Sequence, residues 1–282
     1  MPAAAQLRIY YRSHGAENAK ARPDYYSKHL ALTSLLRAAA AVHPRPELVF
    51  VNDGPLPEDR LALMRTNGRI VSITEGGNRG SYRTTVALAA RESAADDLVW
   101  FAEDDYLYAP GALHSLQAAA AGPEGDYFSL YGSTPLHTGA PGRTAAAVGD
   151  VAWFRAMSTT STFGVRGAVL HADVGLLRLC PFSGGAWDRT TCRVVQGRHP
   201  FSLSEIAADL RGSPRTVARA VVRGVVAARA MRLPSRRRVL LASDPPLIEH
   251  MEQHRPDPSG VRRPPEFWER LAAEARRYPV PS

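Results

Sequence analysis

The first 131 residues alternate between short runs of consecutive apolar residues and longer stretches in which apolar residues recur every three or four positions. The first pattern is typical of strands buried on both faces, and the second of helices with one face in the core. We predict strands over residues 7–12, 47–53, 69–74, 97–102 and 126–131. We predict helices over residues 24–42, 57–66, 80–93 and 110–121. Strands separated by single helices predict an α/β fold, Rossmann-like, with a mostly parallel sheet flanked by helices.

The second half of the chain has a less regular pattern. Residues 132–160 contain several Gly, Pro and Thr and predict a long loop, which in a compact domain is often functional. A strand could follow over 158–165, and a last strand is predicted over 238–242. The helices predicted for this half are 203–211, 214–231 and 265–277.

Polar residues stand directly after several of the predicted strands. Open parallel sheets bind ligands outside the carboxyl ends of their strands. The topology alone therefore selects Arg12, Asp53, Glu75 and the acidic triplet Glu103-Asp104-Asp105 as candidate site residues.

The acidic triplet is the most informative of these positions. Three consecutive carboxylates repel one another unless water or a cation neutralises them. At the end of a buried strand they are poorly placed to be only solvated, and carboxylate oxygens suit Mg²⁺ or Mn²⁺ together with substrate phosphates. The triplet predicts a divalent cation that bridges a diphosphate leaving group. The alternative is an ordinary surface turn after a strand.

Composition limits the class of protein. The chain has 282 residues, of which 45% are hydrophobic and 22% charged, which excludes a disordered chain, a collagen-like fibre and a small disulfide scaffold. With only Cys180 and Cys192, and with neither a secretory leader nor a run of about 20 apolar residues, we expect a cytoplasmic protein. We treat both cysteines as packing residues. Most of the net charge of +8 lies in residues 201–282 and favours anionic partners.

Three motifs, taken together, resemble a known family. They are Val51-Asn52-Asp53-Gly54, Asn78-Arg79-Gly80 and Phe101-Ala102-Glu103-Asp104-Asp105-Tyr106 with Ala109-Pro110 behind it. Their order and spacing resemble the GT-A glycosyltransferases, with the inverting family-2-like enzymes as the closest pattern. The Glu-Asp-Asp form also resembles the acidic motif of the N-acetylglucosaminyltransferase I group. The opening strand lacks the usual P-x-Y-N of the family.

The resemblance implies a function and a division of the chain. The fold would be GT-A with a helical carboxyl-terminal part. Residues 1–131 would bind a nucleotide-sugar, 132–200 would form the acceptor side, and 201–282 would be a helical basic region. The reaction would transfer a hexosyl or N-acetylhexosaminyl group from a nucleotide-diphosphate donor, expected to be a UDP-sugar, to an acceptor hydroxyl of unknown identity. We expect inversion, with Mn²⁺ or Mg²⁺ as cofactor.

The resemblance also implies which residues form the site. Those that would hold the donor are Tyr11, Arg12, Asp53, Arg79, Arg83 and Asp104. Asp53 matches a carboxylate that binds the nucleotide base, although it could instead only stabilise the turn before Pro55. Those that would hold the metal are Glu103, Asp105 and His250. Asp105, at the last position of the D-x-D motif, is the expected direct ligand.

An inverting enzyme needs a base that accepts the proton of the acceptor hydroxyl. Asp188 is the best candidate, because Gly184-Gly185 allows a close backbone approach and Trp187 could stack on a sugar ring. Asp173 and Asp150 are rivals, and an Asp in a loop is more often a turn residue.

Residues 203–223 also have the pattern of a helix-turn-helix. Arg215, Arg219 and Arg223 recur every four residues and could contact phosphates. The alternatives are peripheral contact with an anionic membrane at its inner face, contact with an anionic acceptor, or packing of a helical hairpin under the acceptor site. We favour packing and expect no nucleic-acid partner. The rival functions are therefore a DNA-binding regulator, a sugar-nucleotide binder without catalysis, and a nucleotidyltransferase. The absence of a G-x-G-x-R loop argues against the last.

Overall fold

The structure is a computed structural model that describes residues 6–17, 19–133, 146–148, 151–231, 237–252 and 263–277. The strands in these ranges are Leu7–His14 (β1), Glu47–Asp53 (β2), Arg69–Ile73 (β3), Leu98–Glu103 (β4), Tyr106–Tyr108 (β5), Tyr127–Ser129 (β6), Ala146–Val148 (β7), Val151–Arg155 (β8), Phe163–Arg166 (β9), Leu240–Asp244 (β10) and Ile248–His250 (β11). The helices are Lys28–Ala40 (α1), Glu58–Asn67 (α2), Asn78–Glu92 (α3), Ala112–Ala121 (α4), Gly167–Leu179 (α5), Trp187–Val195 (α6), Leu203–Leu210 (α7), Pro214–Met231 (α8) and Pro265–Arg277 (α9).

One mixed sheet runs through the described part of the chain in the order β3-β2-β1-β4-β9-β6-β10-β8-β7, and β11 pairs with β5 in a separate ribbon. Strands β3, β2, β1 and β4 are parallel, as are β6 and β10. Strand β9 is antiparallel to both of its neighbours, so β4, β6 and β10 point the same way. The carboxyl ends of β1, β2 and β4 therefore meet at one edge of the sheet.

Helices pack on both faces of this sheet because its strands present apolar side chains alternately to each face. In β1, Ile9 and Tyr11 belong to the core beneath α1, α2 and α4, whereas Tyr10 belongs to the core beneath α3, α5, α6 and α8. A smaller cluster joins α9 to α1 through Trp268 and Leu30. Because both faces of the sheet are buried, the inner strands are continuous runs of apolar residues in the sequence.

Local signals set the start of some helices. The hydroxyl of Ser27 accepts a hydrogen bond of 3.0 Å from the backbone N–H of Leu30 and caps α1. Ser202 and Glu205 form a reciprocal capping box at the start of α7.

The α/β class with a sheet flanked by helices is confirmed, and the carboxyl-terminal part contains α7, α8 and α9 together with β10 and β11. The predicted loop over 132–160 is wrong where it covers β7 and β8, because a short apolar run there pairs antiparallel with β10. Helices α5 and α6 and the ribbon of β5 with β11 were not predicted. The sheet also crosses the predicted boundary at residue 200, since β10 lies between β6 and β8.

Candidate functional site

A cleft of about 590 Å³ opens where the carboxyl ends of β1, β2 and β4 meet. Its walls come from these strand ends, the loop at 76–78, residues 160–161, the turn at 185–188 and His250. The position agrees with the expectation from topology, and all three members of the acidic triplet line the cleft.

Each member of the triplet has its own cationic partner. Arg12 donates to Glu103 and also to the side chain and backbone oxygens of Asn78. The Nζ atom of Lys28 lies 3.0 Å from the carboxylate of Asp104. The Asp104 carboxylate also accepts a hydrogen bond of 2.9 Å from the backbone N–H of His14. These contacts give Arg12 and Asp104 roles in holding the rim together, and contact of either with a donor stays a prediction.

Asp105 is the most deeply buried carboxylate of the three, with 8% of the residue exposed. Its Oδ2 atom lies 3.0 Å from Nε2 of His250 and 3.2 Å from a guanidinium nitrogen of Arg22. Burial opposes the charge of Asp105, but the hydrogen bond from His250 and the charge of Arg22 outweigh it and lower the pKa to about 2. Asp105 is therefore ionised and ready to coordinate a cation.

Glu103 differs from Asp105. Burial, together with the neighbouring negative charge of Asp105, raises the pKa of Glu103, and Arg12 only partly offsets this. A nearby cation therefore stabilises the ionised form of Glu103 more than it would stabilise a carboxylate in water.

His250 occupies a rigid position at the cleft. It pairs with Tyr106 in the ribbon of β5 and β11, and its ring stacks on the Tyr106 ring at 4.6 Å between centroids and 9° between planes. Its Nε2 atom lies 3.3 Å from Oε1 of Glu252. Within the described part of the chain, Asp105, His250 and Glu252 form one group whose ligand atoms all lie within 4.8 Å of one another. One nitrogen and two carboxylate oxygens at this separation fit a divalent cation such as Mn²⁺.

Several cations of the cleft were missed by the sequence analysis. Lys20 and Lys28 are the chain's two lysines, and both line the cleft. Lys20 forms an ion pair with Glu252. Arg22 donates a hydrogen bond of 2.7 Å to the backbone oxygen of Met251. The scarcity of lysine was a usable signal for these positions. Glu252 had no such signal, because it follows β11 in a turn, where its backbone N–H donates a hydrogen bond of 2.7 Å to the backbone oxygen of His250.

Asp53 lies at the cleft but is almost fully buried. Its Oδ1 atom accepts hydrogen bonds from the backbone N–H groups of Glu75 at 2.9 Å and Gly76 at 3.2 Å. Gly76 has a φ of 66°, a conformation that favours glycine. Asp53 thus holds the loop before α3, and its contact with a nucleotide base stays a prediction.

Three of the predicted donor-binding residues do not line the cleft. Tyr11 is fully buried against Phe50, and its hydroxyl has no hydrogen-bond partner in the described part of the chain. Arg79 is exposed in the first turn of α3. Arg83 donates 3.1 Å to the backbone oxygen of Arg178 and lies over the ring of Phe182. The helical turn directs Asn78 and Ser81 toward the cleft instead.

Asp188 stands at the rim of the cleft in the first turn of α6. The preceding Gly184 and Gly185 have φ values of 78° and 62°, so this sharp turn favours glycine at both positions. Trp187 is mostly buried, and its ring packs on the ring of Tyr82 at 4.5 Å between centroids. Trp187 also lines the cleft, and stacking of its ring on a sugar stays a prediction.

The two rivals of Asp188 fare differently. Asp173 is buried on α5 and accepts from the hydroxyl of Tyr127 at 2.8 Å and from the guanidinium of Arg238 at 2.9 and 3.0 Å. It is committed to the core and does not line the cleft. Asp150 lies outside the described residues.

The α7–α8 hairpin uses its arginines internally. Arg219 donates a hydrogen bond of 3.0 Å to the carboxylate of Asp209. A guanidinium nitrogen of Arg223 lies 2.8 Å from the same carboxylate, and Arg223 also donates a hydrogen bond to the backbone oxygen of Ser183. Two of the three arginines of the predicted stripe are thus engaged within the protein, while Arg215 is exposed. This arrangement agrees with packing and leaves little of the stripe for DNA.

No helix in the described ranges is both long enough and apolar enough to span a bilayer. No protein-family model matches the chain, and no curated protein matches it. Solved structures do resemble it in part. One is a fragment, residues 1–349, of TarS from S. aureus, with 15% sequence identity and a TM-score of 0.43 over 67% of this chain. The chain spans about half of that fragment, 54%.

Two other solved structures show similar partial overlap. Glucosyl-3-phosphoglycerate synthase from Mycobacterium tuberculosis, solved with Mn²⁺, UDP-glucose and phosphoglyceric acid, has 12% identity and a TM-score of 0.33, covering 45% of this chain and 44% of that one. A 4-diphosphocytidyl-2C-methyl-D-erythritol synthase has 13% identity and a TM-score of 0.38, covering 61% and 80%. These similarities do not identify a reaction, which has to be inferred from the cleft itself.

Proposed function

We propose that the protein is a metal-dependent glycosyltransferase that moves a hexosyl or N-acetylhexosaminyl group from a UDP-sugar to an acceptor hydroxyl, with inversion. The observation that carries the proposal is the cluster of Asp105, His250 and Glu252, of which Asp105 and His250 line the cleft. Asp105 lies 145 positions before His250 in the sequence, and Glu252 is two positions beyond His250.

Asp105, His250 and Glu252 would hold Mn²⁺ or Mg²⁺, with Glu103 beside them. The bound ion would neutralise charge on the departing nucleoside diphosphate. Lys20 and Arg22 now balance the charges of Glu252 and Asp105, so both cations stand where diphosphate oxygens would also be attracted. The cleft combines acidic ligands with basic neighbours, as a metal–diphosphate complex requires.

Asp188 would act as the base on the acceptor side. Its position at the rim, on an element different from the acidic cluster, leaves the cleft between them for the sugar. It would accept the proton of the acceptor hydroxyl as the oxygen attacks the anomeric carbon. A sugar-nucleotide binder without catalysis would need the same acidic cluster but no such base, so turnover separates the two functions.

The test measures the melting temperature with UDP, Mn²⁺, both or neither. We expect the pair to raise it by about 5 °C at a hundredfold excess over Kd, because ligands that bind only the native state stabilise it by mass action. Asp105→Asn should remove the rise. Asp59→Asn, at an exposed carboxylate that pairs with His29, is the matched control and should keep it.

A second measurement covers the case in which Asp105→Asn lowers the stability of the protein itself. Electron paramagnetic resonance of Mn²⁺ reports the bound ion directly, and release of UDP from a panel of UDP-sugars reports turnover. A wild-type protein that binds neither Mn²⁺ nor any nucleotide diphosphate would contradict the proposal.

We also propose a cytoplasmic location with peripheral contact between the α7–α8 hairpin and an anionic membrane. Leu203 is 86% exposed and Val221 is 60% exposed, and Arg211 and Arg215 are exposed on the same hairpin. Exposed apolar side chains beside basic ones favour an anionic lipid surface. Leu203→Ser with Val221→Ser should reduce co-sedimentation with phosphatidylglycerol vesicles. Met157→Ser, at an apolar residue 39% exposed elsewhere, should not.

A further inference from the structure

A second polar cavity, of about 370 Å³, lies away from the cleft. It is formed by the end of β8 at Arg155, the loop after α6 at residues 196–198, and the residues that enter β10 at 237–240. Neither the acidic cluster nor Asp188 lines it.

The topology places this cavity at the opposite edge of the sheet. Strand β8 runs antiparallel to β10, and Arg155 pairs with Leu241 near the beginning of β10. Because β10 points the same way as β4, its beginning lies at the edge where β4 also begins. The cleft lies at the other ends of these strands, so a ligand here would not be in the cleft.

The charges of this cavity are unbalanced. Arg238 is the one lining arginine with carboxylate partners in the described ranges: Asp173 binds it through two hydrogen bonds, and Asp126 lies 3.9 Å away. Arg155, Arg198 and Arg237 have no such partner among the described residues, and the lining contains no acidic residue. The neighbouring segment 232–236, Arg-Leu-Pro-Ser-Arg, contributes no acidic residue by its sequence.

Backbone shape supports the same arrangement. Gly197 has a φ of 67°, and a Cβ atom there would lie 2.9 Å from Cγ of Arg237. Glycine thus lets the chain turn and lets the stem of Arg237 lie against the loop. Gln196 is fixed by a hydrogen bond of 3.0 Å to the backbone oxygen of Met157. The loop that carries Arg198 is therefore held in place.

We propose that Arg155, Arg198 and Arg237 form a binding site for a phosphate group, separate from the catalytic cleft. Like charges gathered in a concave site repel one another and concentrate anions. Guanidinium groups match phosphate oxygens in geometry and are more weakly hydrated than ammonium groups. The ligand is a phosphate monoester or diester, carried either by a soluble metabolite or by a lipid headgroup. This inference does not depend on the proposed function of the cleft.

The first experiment titrates sodium phosphate into the full-length protein by calorimetry, with sodium chloride at matched ionic strength as the reference. The test variant is Arg155→Gln/Arg198→Gln/Arg237→Gln. The control variant, Arg45→Gln/Arg65→Gln/Arg91→Gln, removes the same charge at exposed positions elsewhere. Lys20→Gln, which removes a cation that lines the cleft, separates phosphate bound in the cleft from phosphate bound here.

We expect saturable phosphate binding that the test variant weakens by about 30-fold or more, since charge-assisted hydrogen bonds are the strong ones. The control variant and Lys20→Gln should retain it. Gly197→Ala is a milder variant that displaces Arg237 without removing charge, and it should weaken binding as well.

The second experiment identifies the source of the phosphate. Vesicles of phosphatidylcholine with phosphatidylglycerol are co-sedimented with the same variants, each carrying Leu203→Ser and Val221→Ser so that the proposed contact of the α7–α8 hairpin is removed. Loss of vesicle binding in the test variant, with no binding of soluble phosphate by the wild type, would support the site with a lipid headgroup as its ligand. The proposal would be overturned if the wild type bound neither soluble phosphate nor vesicles, or if the wild type and the test variant bound each of them equally.

Discussion

Asp188 and Asp173 show how surroundings separate two residues of the same type. Asp188 lies half-exposed at the rim of the cleft, whereas Asp173 is buried between Tyr127 and Arg238. Both were candidates for the base when only the sequence was considered. The structure gives Asp173 a structural role, because its two oxygens already accept three hydrogen bonds.

We predict opposite outcomes for these two residues. Asp188→Asn should lower turnover by about 10²- to 10⁴-fold, the usual contribution of a positioned base, and leave the melting temperature unchanged. Asp173→Asn should lower the free energy of unfolding by about 3 kcal/mol, because it removes the hydrogen-bonded carboxylate of the partly buried Arg238 and leaves only Asp126 at 3.9 Å. Donor turnover and urea unfolding measure the two effects. If both variants kept the turnover of the wild type, Asp188 would not be the base.

The two cysteines should be chemically inert in the folded protein. Burial raises the pKa of the Cys180 thiol to about 11 and that of the Cys192 thiol to about 12, so very little thiolate exists at neutral pH. We expect iodoacetamide at pH 8 to label neither cysteine until urea unfolds the chain, as measured by mass spectrometry. Glutathione serves as the accessible-thiol control. Labelling of the native protein at the glutathione rate would contradict this packing.

At the scale of elements, two glycines in helices should respond to the same substitution in opposite ways. Gly167 begins α5, and a Cβ atom there would lie 1.9 Å from the backbone oxygen of Ala94. Gly224 lies in the middle of α8, where a Cβ atom would meet nothing within 4 Å among the described atoms. The first glycine is needed for a close approach of two segments, and the second is not.

Gly167→Ala should therefore destabilise the protein by about 1–3 kcal/mol, the usual cost of forcing atoms into packed space. Gly224→Ala should stabilise it by about 0.5–1 kcal/mol, because alanine loses less conformational entropy in a helix. Urea unfolding midpoints, read at constant slope, measure both. If both substitutions changed the free energy of unfolding in the same direction, the close approach of Gly167 to Ala94 would be contradicted.

At the scale of the whole molecule, α9 packs against the segment that carries His250 and Glu252. Trp268 is 2% exposed and packs in one cluster with Leu30 of α1 and Met251. The backbone N–H of Met251 donates 2.9 Å to the backbone oxygen of Asp105. The packing of α9 therefore supports the segment that carries His250 and Glu252.

Trp268→Ala should cost about 3–5 kcal/mol of unfolding free energy and should also weaken Mn²⁺ binding. The reason for the second effect is that loosening Met251 also loosens its neighbours in the metal cluster. Glu274→Ala, at an exposed position of the same helix, is the control and should change stability by less than about 0.5 kcal/mol. Calorimetry with Mn²⁺ and thermal unfolding test the pair. If Trp268→Ala bound Mn²⁺ with unchanged affinity, the packing of α9 would not support the metal ligands.

Patterns of neighbouring residues determined much of the fold. The apolar runs of β2 and β4 and the periodic stretches of α1 and α3 were sufficient to predict βαβ units, since each pattern depends on residues close together in the chain. The acidic triplet could be placed at the cleft for the same reason: it follows a strand, and the carboxyl ends of parallel strands share an edge.

Only the tertiary structure decided which distant residues meet. Glu252 joins Asp105 because β11 pairs with β5, and neither short strand has a pattern of its own. The direction in which a helical residue points also depends on what the helix packs against, which is why Arg83 lies against the α5 side and not in the cleft. The sequence by itself determined the elements and the edge at which chemistry is expected. Long-range pairing decided the cluster of ligands, because a contact between segments far apart in the chain leaves no local periodicity to detect.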